Sequence, residues 1–370
     1  MRVAITLEQC WHRVPGGTAV AALGSIAALQ QLAEPPEVVG VAAWHHKPSL
    51  NPFALEIDAL GVDIVRMPLP RLALYSAWHL LRHPRVERIS GPVDVIHATG
   101  MAIPPASAPL VITVNDLAFL RYPNNFTSRG RRFFSKSLQL TARDADIVVC
   151  PSRHTWRDCE QAGIDPNRLR LVPYGTDARV VHQVEAAQVR QRFGLDERFV
   201  LWVGTVEPRK NLSGLLQAWR MLGRSNEQLV LVGPQGWKFN LKDELKVGDG
   251  SVRCLGFVSD ADKRALMSAA TVFCYPSFTE GFGLPVLEAM VQATPVVTSS
   301  LGATAELASD VGLLIQPSDP RSIADAVARL LDDSSQAEHL GQKGQQLALK
   351  EYRWQSCAEK LMKVYRELVS

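Results

Sequence analysis

The stretch Thr271–Val291 reads TVFCYPSFTEGFGLPVLEAMV and predicts a strand, a glycine loop and a helix in that order. The run Thr271–Tyr275 is short and apolar, as in a strand that is buried within a sheet. Gly281 and Gly283 let the loop backbone approach a ligand closely. Pro285 suits the first turn of a helix, where its missing N–H costs nothing. The start of that helix offers free N–H groups and a partial positive charge, so the stretch predicts a phosphate site.

Two carboxylates bracket this predicted phosphate site. Glu288 lies three residues after Pro285, on the same helix face, and can accept hydrogen bonds from a vicinal diol such as a ribose. Glu280 lies in the loop, next to whatever is attached to the phosphate. The alternative interpretation is an ordinary glycine loop with a glutamate that interacts with the helix dipole.

Similar units recur along the whole chain, because short apolar runs alternate with helix-like stretches. The runs are Val3–Leu7, Val38–Ala43, Val93–Ile96, Leu110–Val114, Ile147–Cys150, Phe199–Val203, Gln228–Val232, Ser251–Leu255, Thr271–Tyr275 and Pro295–Thr298. This alternation predicts parallel sheets with helices on both faces. We therefore expect two doubly wound α/β (Rossmann-like) domains, residues 1–177 and 178–352, facing across a cleft, and a last helical segment, residues 353–370.

A second candidate binding loop follows the run Phe199–Val203 and begins at Gly204. Arg209 and Lys210 lie where the next helix starts, and cations are unfavourable at the positive end of a helix dipole. A bound anion such as a diphosphate would resolve this conflict, and the two cations would stabilise charge on a leaving group. Alanine at either position is then expected to reduce turnover and leave the fold intact. Alternatively, both side chains are solvated and pair loosely with Glu207.

The first domain offers weaker candidates at the predicted carboxyl ends of its strands, where ligands of open α/β sheets collect. Gly16 and Gly17 precede a helix, although a simple turn explains them nearly as well. His97 follows the run Val93–Ile96 and is a candidate on the acceptor side, or a structural histidine. Asn115 follows the run Leu110–Val114.

Composition excludes several functional classes. The 370 residues are 46% hydrophobic and 21% charged with a net charge of +3, which predicts a globular protein without a nucleic-acid partner. No apolar stretch is long enough to span a membrane, and the early Glu8 interrupts any secretory signal. Six scattered cysteines without a C-x-x-C pattern fit reduced thiols in the cytoplasm.

Two further patterns leave alternatives open. Asp144-Ala145-Asp146 and Asp260-Ala261-Asp262 both read D-x-D, but they lie at the start of a strand and of a helix, so we expect no metal site. The segment Arg129–Lys136 mixes cations with Phe133 and Phe134, within a stretch 117–143 that holds six basic residues and no acidic ones. This predicts either peripheral contact with an anionic membrane or a solvated helix face.

These motifs together resemble the retaining glycosyltransferases of family 4, which have the GT-B fold. The resemblance spans essentially the whole chain and rests on the E-x7-E pair Glu280 and Glu288, on Arg209–Leu212, on Pro173–Asp177 and on Thr294–Val297. It implies a metal-independent enzyme without a cofactor, and a C-terminal helix that returns to the first domain.

The resemblance also implies site roles. Glu280 would contact the donor sugar near the reacting carbon, Arg209 and Lys210 would hold the diphosphate, and Glu288 would hold the ribose. The other implied donor-binding residues are Gly16, Gly17, Gly204, Phe257, Gly281, Phe282, Gly283 and Leu284. One departure is Asn115, since family members commonly carry a histidine there that contacts the donor sugar. Asparagine cannot titrate near neutral pH, but it can donate and accept hydrogen bonds, so Asn115 stays a candidate for contact with the sugar.

The implied reaction is transfer of a hexose, mannose by preference, from a nucleotide-diphospho-sugar such as GDP-mannose to a hydroxyl of a glycan or lipid-linked acceptor. The anomeric configuration would be retained. Two alternatives stay open: a nucleotide-sugar epimerase of the same fold, and an inactive nucleotide-sugar-binding subunit.

Overall fold

The chain folds into two compact units in the computed structural model, which describes residues 1–12, 16–45, 52–245 and 249–369. The first unit comprises residues 1–175 and 354–370, and the second comprises residues 176–353. The division therefore falls two residues before the boundary predicted from the sequence. No helix among the described residues is long and apolar enough to cross a membrane.

The first unit contains a seven-stranded parallel sheet in the order β3-β2-β1-β4-β5-β6-β7. Its five inner strands are largely buried apolar runs, as expected for a sheet covered on both faces, while the two edge strands are only partly buried. The seven strands are β1 (Arg2–Thr6), β2 (Glu37–Ala42), β3 (Asp63–Arg66), β4 (Val95–Ala98), β5 (Leu110–Thr113), β6 (Ile147–Cys150) and β7 (Leu169–Leu171).

The helices of the first unit fill the crossovers between these strands. They are α1 (Gly17–Gln30), α2 (Pro52–Ala59), α3 (Arg71–Ser76), α4 (Glu87–Ser90), α5 (Ala118–Arg121), α6 (Ser128–Asp144) and α7 (Arg153–Gln161). A π-helical turn, Ala77–Leu81, continues α3, and short 3-10 turns span Glu8–Trp11, Pro123–Asn125 and Pro166–Arg168.

The second unit repeats the same topology with six parallel strands in the order β10-β9-β8-β11-β12-β13. The strands are β8 (Phe199–Val203), β9 (Gln228–Val232), β10 (Val252–Gly256), β11 (Val272–Tyr275), β12 (Val296–Ser299) and β13 (Leu313–Ile315). The helices are α8 (Gln183–Phe193), α9 (Leu212–Leu222), α10 (Leu241–Glu244), α11 (Asp260–Ala269), α12 (Leu284–Val291), α13 (Ala303–Ala308), α14 (Pro320–Asp332) and α15 (Ser334–Glu351). A 3-10 turn, Pro208–Lys210, precedes α9.

The C-terminal helix, Trp354–Val369, belongs to the first unit and packs on α1. Gly24 makes this contact close, because a Cβ there would lie 2.4 Å from the Trp354 ring. Further along the helix, the Tyr365 hydroxyl hydrogen-bonds to His97 Nδ1 at 2.7 Å. The helix therefore covers one face of the first sheet.

The architecture confirms the predicted pair of doubly wound parallel sheets. Three strands were missing from the prediction, namely β3, β7 and β13, which are short and lie at or next to a sheet edge. The helix α8 was also missed, because the polar sequence of Gln183–Phe193 carries little apolar periodicity.

Candidate active site

The second unit brings its two glycine-containing loops together at the point where the strand order reverses. Strands β8 and β11 are neighbours, but the chain leaves β8 toward β9 and leaves β11 toward β12, on the other side. The loops that follow β8 and β11 therefore lie side by side at the switch point of the sheet, on its carboxyl edge, where ligands of such folds usually bind. A backbone hydrogen bond from Phe278 N–H to the Arg209 carbonyl, 3.0 Å, joins the two loops.

Glu280 lies at the centre of this edge and receives both cations of the other loop. Lys210 Nζ donates to Glu280 Oε1 at 2.7 Å, and Arg209 Nη1 donates to Glu280 Oε2 at 2.6 Å. The Glu280 side chain is buried, with only 7% of the residue exposed. Each carboxylate oxygen thus accepts a charge-assisted hydrogen bond from a different cation, which fixes the orientation of the carboxylate.

Two further side chains complete this arrangement. Arg209 Nη2 donates to Glu207 Oε1 at 2.8 Å, and Lys210 Nζ donates to the Tyr275 hydroxyl and lies 4.9 Å from the centre of the Tyr275 ring. We call these five residues, Glu207, Arg209, Lys210, Tyr275 and Glu280, the Glu280 cluster. All but Arg209 are buried, and Arg209 is mostly buried. The cluster carries two positive and two negative charges, so it compensates its own charge.

The electrostatics of the cluster keep Glu280 ionised. Burial by itself would raise the pKa of Glu280, but Arg209 and Lys210 outweigh burial and lower this pKa from the usual 4.5 to about 2. Burial and the neighbouring Arg209 lower the pKa of Lys210, while Glu280 and Glu207 oppose that shift. Glu280 is therefore a carboxylate throughout the neutral range and cannot serve there as a general acid.

Asn211 holds the cation-bearing loop in place. Its Nδ2 donates to the carbonyls of Pro276 and Pro317, at 3.1 and 2.6 Å, and its Oδ1 accepts from Gly214 N–H at 3.3 Å as the N-cap of α9. Its backbone is left-handed, with φ of 55°. Asn211 thus joins the start of α9 to the loop after β11, on which Glu280 lies.

Glycine is required where α12 begins. Gly283 is the N-cap residue with φ of 103°, and a Cβ at this position would lie 2.7 Å from Thr304 Cγ2 on α13. The N–H groups of Gly283 and Leu284, where α12 begins, are those predicted to face a phosphate, since the N–H groups of Val286 and Leu287 donate to the Gly283 carbonyl. Gly233 plays a similar packing role next to Gly204, since a Cβ on Gly233 would lie 1.8 Å from the Gly204 carbonyl oxygen.

Gly283→Ala is expected to destabilise the protein by at least about 2 kcal/mol, because it combines left-handed strain with overlap against Thr304. The matched control is Gly194→Ala, at the end of α8, where φ is 60° and the space around a new Cβ is open. That control should cost about 1 kcal/mol. Urea unfolding of both variants measures the difference, and equal losses would contradict the packing role of Gly283.

Glu288 lies on α12 as predicted, and its Oε1 accepts from Lys263 Nζ on α11 at 2.9 Å. Its side chain is about four-fifths buried but reaches solvent. Phe257 follows β10 at the same edge and is 69% exposed, so its ring is available for stacking. The ring of Phe282, another predicted donor-binding residue, is buried and packs edge-on against Tyr352 at 5.9 Å.

Comparison with known proteins agrees with this geometry. The model described as "Glycosyltransferase Family 4" matches residues 15–180, and the model described as "Glycosyl transferases group 1" matches residues 184–347. The O-antigen chain mannosyltransferase B of Escherichia coli is 32% identical over 325 residues, which cover 82% of this chain and 81% of that protein. The chain belongs to glycosyltransferase family 4.

Two further comparisons relate this family 4 glycosyltransferase to a second relative and to a solved structure. The MMP alpha-(1->4)-mannosyltransferase of Mycolicibacterium hassiacum is 32% identical over 215 residues, which cover 56% of this chain and 50% of that protein. The crystal structure of HepE from Anabaena, in complex with UDP and glucose, superimposes with a TM-score of 0.80 over all of both chains at 18% identity. This second likeness shows the GT-B fold.

The first unit of the glycosyltransferase engages two of its candidates in internal hydrogen bonds. Asn115 Nδ2 donates to the Thr99 carbonyl at 3.2 Å, and Asn115 Oδ1 accepts from the Tyr174 hydroxyl at 2.5 Å. His97 lies inside β4 and not after it, so the strand end predicted at Ile96 is wrong.

The burial of His97 explains why it is a structural residue. The side chain is 97% buried, and its second ring nitrogen, Nε2, hydrogen-bonds to Thr113 Oγ1 at 2.7 Å. Burial lowers the pKa of His97 to about 3, which keeps the ring neutral. His97 therefore has almost no exposed surface with which to contact an acceptor.

Gly16 and Gly17 differ from these buried candidates, because both are exposed where α1 begins. Gly16 is the N-cap residue and, as a glycine, has no side chain with which to cap this end of α1. Ala19 N–H donates to the Gly16 carbonyl, so the earlier N–H groups of Gly17 and Thr18 are the ones that a polar ligand could contact.

The aspartates of the two D-x-D patterns are held by protein partners. Asp144 accepts from Arg82 Nη2 at 2.7 Å, and Asp146 accepts from Leu110 N–H at 2.7 Å. Asp260 pairs with Lys263 at 3.2 Å, and Asp262 pairs with Arg192. Within the described residues, no group of three or more acidic, histidine or cysteine side chains is arranged to hold a metal ion.

Sequence reasoning missed three residues that build the site. Tyr275 was assigned only to a strand, Glu207 only to a loose surface pair, and Asn211 to no role. Asn211 could have been identified, since an asparagine directly before a predicted helix is a strong N-cap signal. The buried contacts of Glu207 and Tyr275 depend on the approach of separate loops, and no local pattern signals them.

Proposed function

We propose that this glycosyltransferase moves a mannosyl residue from GDP-mannose to a hydroxyl of a glycan or lipid-linked acceptor, with retention of the anomeric configuration. The observation that carries the proposal is the ionised, doubly paired Glu280 at the switch point of the second sheet. A fixed carboxylate at this edge can stabilise the positive charge that develops on a sugar during transfer.

The donor would lie along the carboxyl edge of the second sheet. The diphosphate would contact the free N–H groups where α12 begins, near Gly283 and Leu284, and the cations Arg209 and Lys210. Among the described residues Lys210 uses two of its three N–H groups, for Glu280 and Tyr275, so one remains for a phosphate oxygen. Glu288 would accept hydrogen bonds from the ribose, and the exposed ring of Phe257 would stack on the base.

Glu280 acts in this proposal as an electrostatic partner and not as a nucleophile. Two cations within 2.7 Å draw electron density from its oxygens and hold its pKa near 2. Such a carboxylate attacks carbon poorly, because each of its oxygens already accepts a charge-assisted hydrogen bond from a cation. Its fixed position suits stabilisation of an oxocarbenium-like state.

The relatives support mannose as the transferred sugar, since the two that are cited above are named mannosyltransferases and each is 32% identical over the matched region. The Escherichia coli relative is named as a transferase of the O-antigen chain. This name favours transfer of the sugar to an acceptor over epimerisation. HepE was solved with UDP, so the base is the part of the proposal that most needs a direct test.

The acceptor would bind on the first unit, where Asn115 has hydrogen-bond capacity left, while Gly16 and Gly17 at the exposed start of α1 stay predicted donor-binding residues. We also propose that the segment Arg129–Lys136 makes peripheral contact with an anionic membrane on the cytoplasmic side. The outward arginines of α6 support this contact.

A thermal-shift panel with GDP, UDP, ADP and their sugars, without metal, tests the donor. A ligand at 100 times its dissociation constant adds about 2.7 kcal/mol, so GDP and GDP-mannose should raise the Tm by several degrees. Glu288→Gln should weaken the affinity for GDP-mannose about tenfold and so reduce the Tm shift. Glu338→Gln replaces an exposed glutamate on α15 and should leave the Tm shift unchanged.

The turnover assay decides between the alternatives. Release of GDP that depends on an added glycan acceptor supports transfer, while conversion of the donor without any acceptor would indicate an epimerase. Tight binding of donor without turnover on a panel of mannosides and lipid-linked glycans would indicate an inactive binding subunit. A larger Tm shift with UDP or ADP than with GDP would contradict the proposed donor.

A further inference from the structure

The first sheet has a switch point of its own, between β1 and β4. These strands are neighbours, but the chain leaves β1 toward β2 and leaves β4 toward β5, on the other side. Ligands of open α/β sheets bind outside the carboxyl ends of the strands at such points. The Glu280 cluster lies at the corresponding point of the second sheet, so the residues at the first switch point are well placed for a second substrate.

The 3-10 turn Glu8–Trp11 follows β1 and lies at this switch point. Gln9 Nε2 donates to Thr99 Oγ1, just after β4, at 2.7 Å. Glu8 is buried, and its Oε2 accepts from Ala43 N–H, just after β2, at 2.8 Å. Hydrogen bonds to the ends of both neighbouring strands therefore hold the turn in place.

Glu8 also orients His45. The same oxygen, Oε2, lies 3.0 Å from His45 Nε2. Because a carboxylate oxygen only accepts, this hydrogen bond places the ring proton on Nε2 and leaves Nδ1 as an acceptor. The His45 side chain is 22% exposed, so part of the ring is open to solvent.

Trp11 joins His45 to Arg66 in a single stack. The rings of Trp11 and His45 lie 5.6 Å apart at an interplanar angle of 20°, and the guanidinium carbon of Arg66 lies 5.0 Å from the centre of the Trp11 ring. Arg66 is the last residue of β3 and is exposed. We call these three residues the Trp11 stack, and it spans the carboxyl ends of β1, β2 and β3.

The stack keeps hydrogen-bonding groups available to a ligand. Among the described residues, no hydrogen bond uses Nδ1 of His45, the indole N–H of Trp11 or the guanidinium of Arg66. These groups offer one acceptor and several donors next to aromatic rings. A hexose needs this combination, because it has an apolar C–H face and hydroxyls that both donate and accept.

The charges at this edge of the first sheet favour an uncharged ligand. Glu8 and Arg66 carry opposite charges. Two further charges act on buried groups in and next to the same turn, the negative Glu56 and the positive Arg71. These four charges cancel, so they favour a neutral sugar over a phosphate or a carboxylate.

We propose that the Trp11 stack binds an uncharged hexose residue of the acceptor glycan. Arg66 and Trp11 donate hydrogen bonds to oxygens of this sugar, and His45 accepts one from a hydroxyl. Glu8 is a positioning residue that acts through His45. The inference rests on the proposed function, which places the acceptor on the first unit, and it narrows the part of the acceptor that is recognised to a neutral sugar.

Saturation-transfer NMR on the full chain tests the proposal, with methyl α-mannopyranoside, methyl α-glucopyranoside and mannose 6-phosphate as probes. The wild type should bind at least one neutral glycoside at millimolar concentration, and more tightly than mannose 6-phosphate. Arg66→Gln and His45→Ala should each weaken that affinity about tenfold, since each removes a hydrogen bond to the sugar.

The matched control is Arg88→Gln, which removes an exposed arginine of α4, in the segment that leads into the amino end of β4. It should bind the glycoside like the wild type. Equal affinities of the wild type and both stack variants would overturn the proposed site. A wild type that binds no glycoside, or that prefers mannose 6-phosphate, would overturn the neutral sugar.

The nitrogen NMR shifts of His45 test the positioning role of Glu8. The wild type should show the tautomer with the proton on Nε2, and Glu8→Gln should add the Nδ1–H form and weaken glycoside binding. A role of Glu8 in stability alone would leave the tautomer unchanged, and that result would overturn the positioning role.

The thermal-shift response to nucleotides keeps this proposal separate from the proposed function. Stack variants that lose glycoside binding but keep the response to GDP-mannose have lost the acceptor site alone. A wild type that responds to GDP-mannose but binds no glycoside would overturn the sugar site and leave the donor standing. A wild type that binds the glycoside but responds to no nucleotide would do the reverse.

Discussion

Glu280→Gln is expected to reduce turnover about 10²–10³-fold, the usual effect of removing one preorganised electrostatic group from a reacting centre. Glutamine keeps the size of the side chain but removes the charge that both Arg209 and Lys210 contact. The amide can still accept one hydrogen bond, but its NH₂ group would point at a cation. The carboxylate is therefore lost both as a stabiliser of positive charge and as the anchor of two cations.

The same substitution should also destabilise the second unit, by about 3 kcal/mol, because it leaves buried positive charge with only Glu207 to compensate it. This is a sizeable part of the 5–15 kcal/mol that stabilises a typical domain. Turnover must therefore be measured well below the Tm of the variant, with the folded fraction checked by circular dichroism.

Glu227→Gln separates loss of activity from loss of stability. Glu227 is a carboxylate of the same unit that is as buried as Glu280 and pairs with Arg198 at 3.2 Å, but it lies outside the Glu280 cluster. Its replacement should lower stability and leave turnover within a few fold of the wild type. A Glu280→Gln variant that turns over as fast as Glu227→Gln at the same folded fraction would refute the electrostatic role of Glu280.

The contacts of the Glu280 cluster also revise an expectation from the sequence. Alanine at Arg209 or Lys210 was expected to leave the fold intact, on the view that both cations face a bound anion. Their partners within the protein are buried carboxylates, so alanine would leave Glu207 or Glu280 uncompensated. Substitutions that keep volume and polarity are therefore the better tests.

Local sequence patterns predicted the loops and strands that form the site, because each of these segments has its own local signals. Glycines with an early proline mark the loop before α12, and the apolar runs mark β8 and β11. The pairing of Arg209 with Glu280 joins residues 71 positions apart, which meet only because β8 and β11 are neighbours in the sheet. No period or spacing in one sequence encodes that neighbourhood.

The wrong strand end predicted before His97 has a similar origin. A histidine after an apolar run resembles a ligand residue at a strand end, and only the register with β1 and β5 shows that the strand continues through it. Its partner Tyr365 lies on the C-terminal helix, 268 residues away. Long-range packing of this kind decides whether a polar residue is structural. The sequence alone therefore left open whether His97 is an acceptor-side residue or a structural one.

Arg209→Gln is expected to reduce turnover about 10²-fold and to give the enzyme a new acid limit. Arg209 is the largest of the influences that lower the pKa of Glu280, so removing it raises this pKa from about 2 toward the ordinary 4.5. In the wild type, the folded-state pKa lies below the unfolded value. The stability that ionised Glu280 contributes is therefore fully present above about pH 4.5 and is lost as the pH falls toward 2.

In the variant, folded Glu280 takes up its proton at a higher pH than in the wild type, and this protonation removes activity in the same range. The pH profile of kcat/KM from pH 4 to 8 should be flat at its acid end for the wild type and fall for Arg209→Gln, after correction for the folded fraction. Arg198→Gln, which removes the cation from Glu227, should shift stability but not the acid limit of activity. Superimposable pH profiles of the wild type and Arg209→Gln would mean that Arg209 does not hold Glu280 ionised. That result would also contradict the proposed role of Glu280 as an electrostatic partner of the sugar.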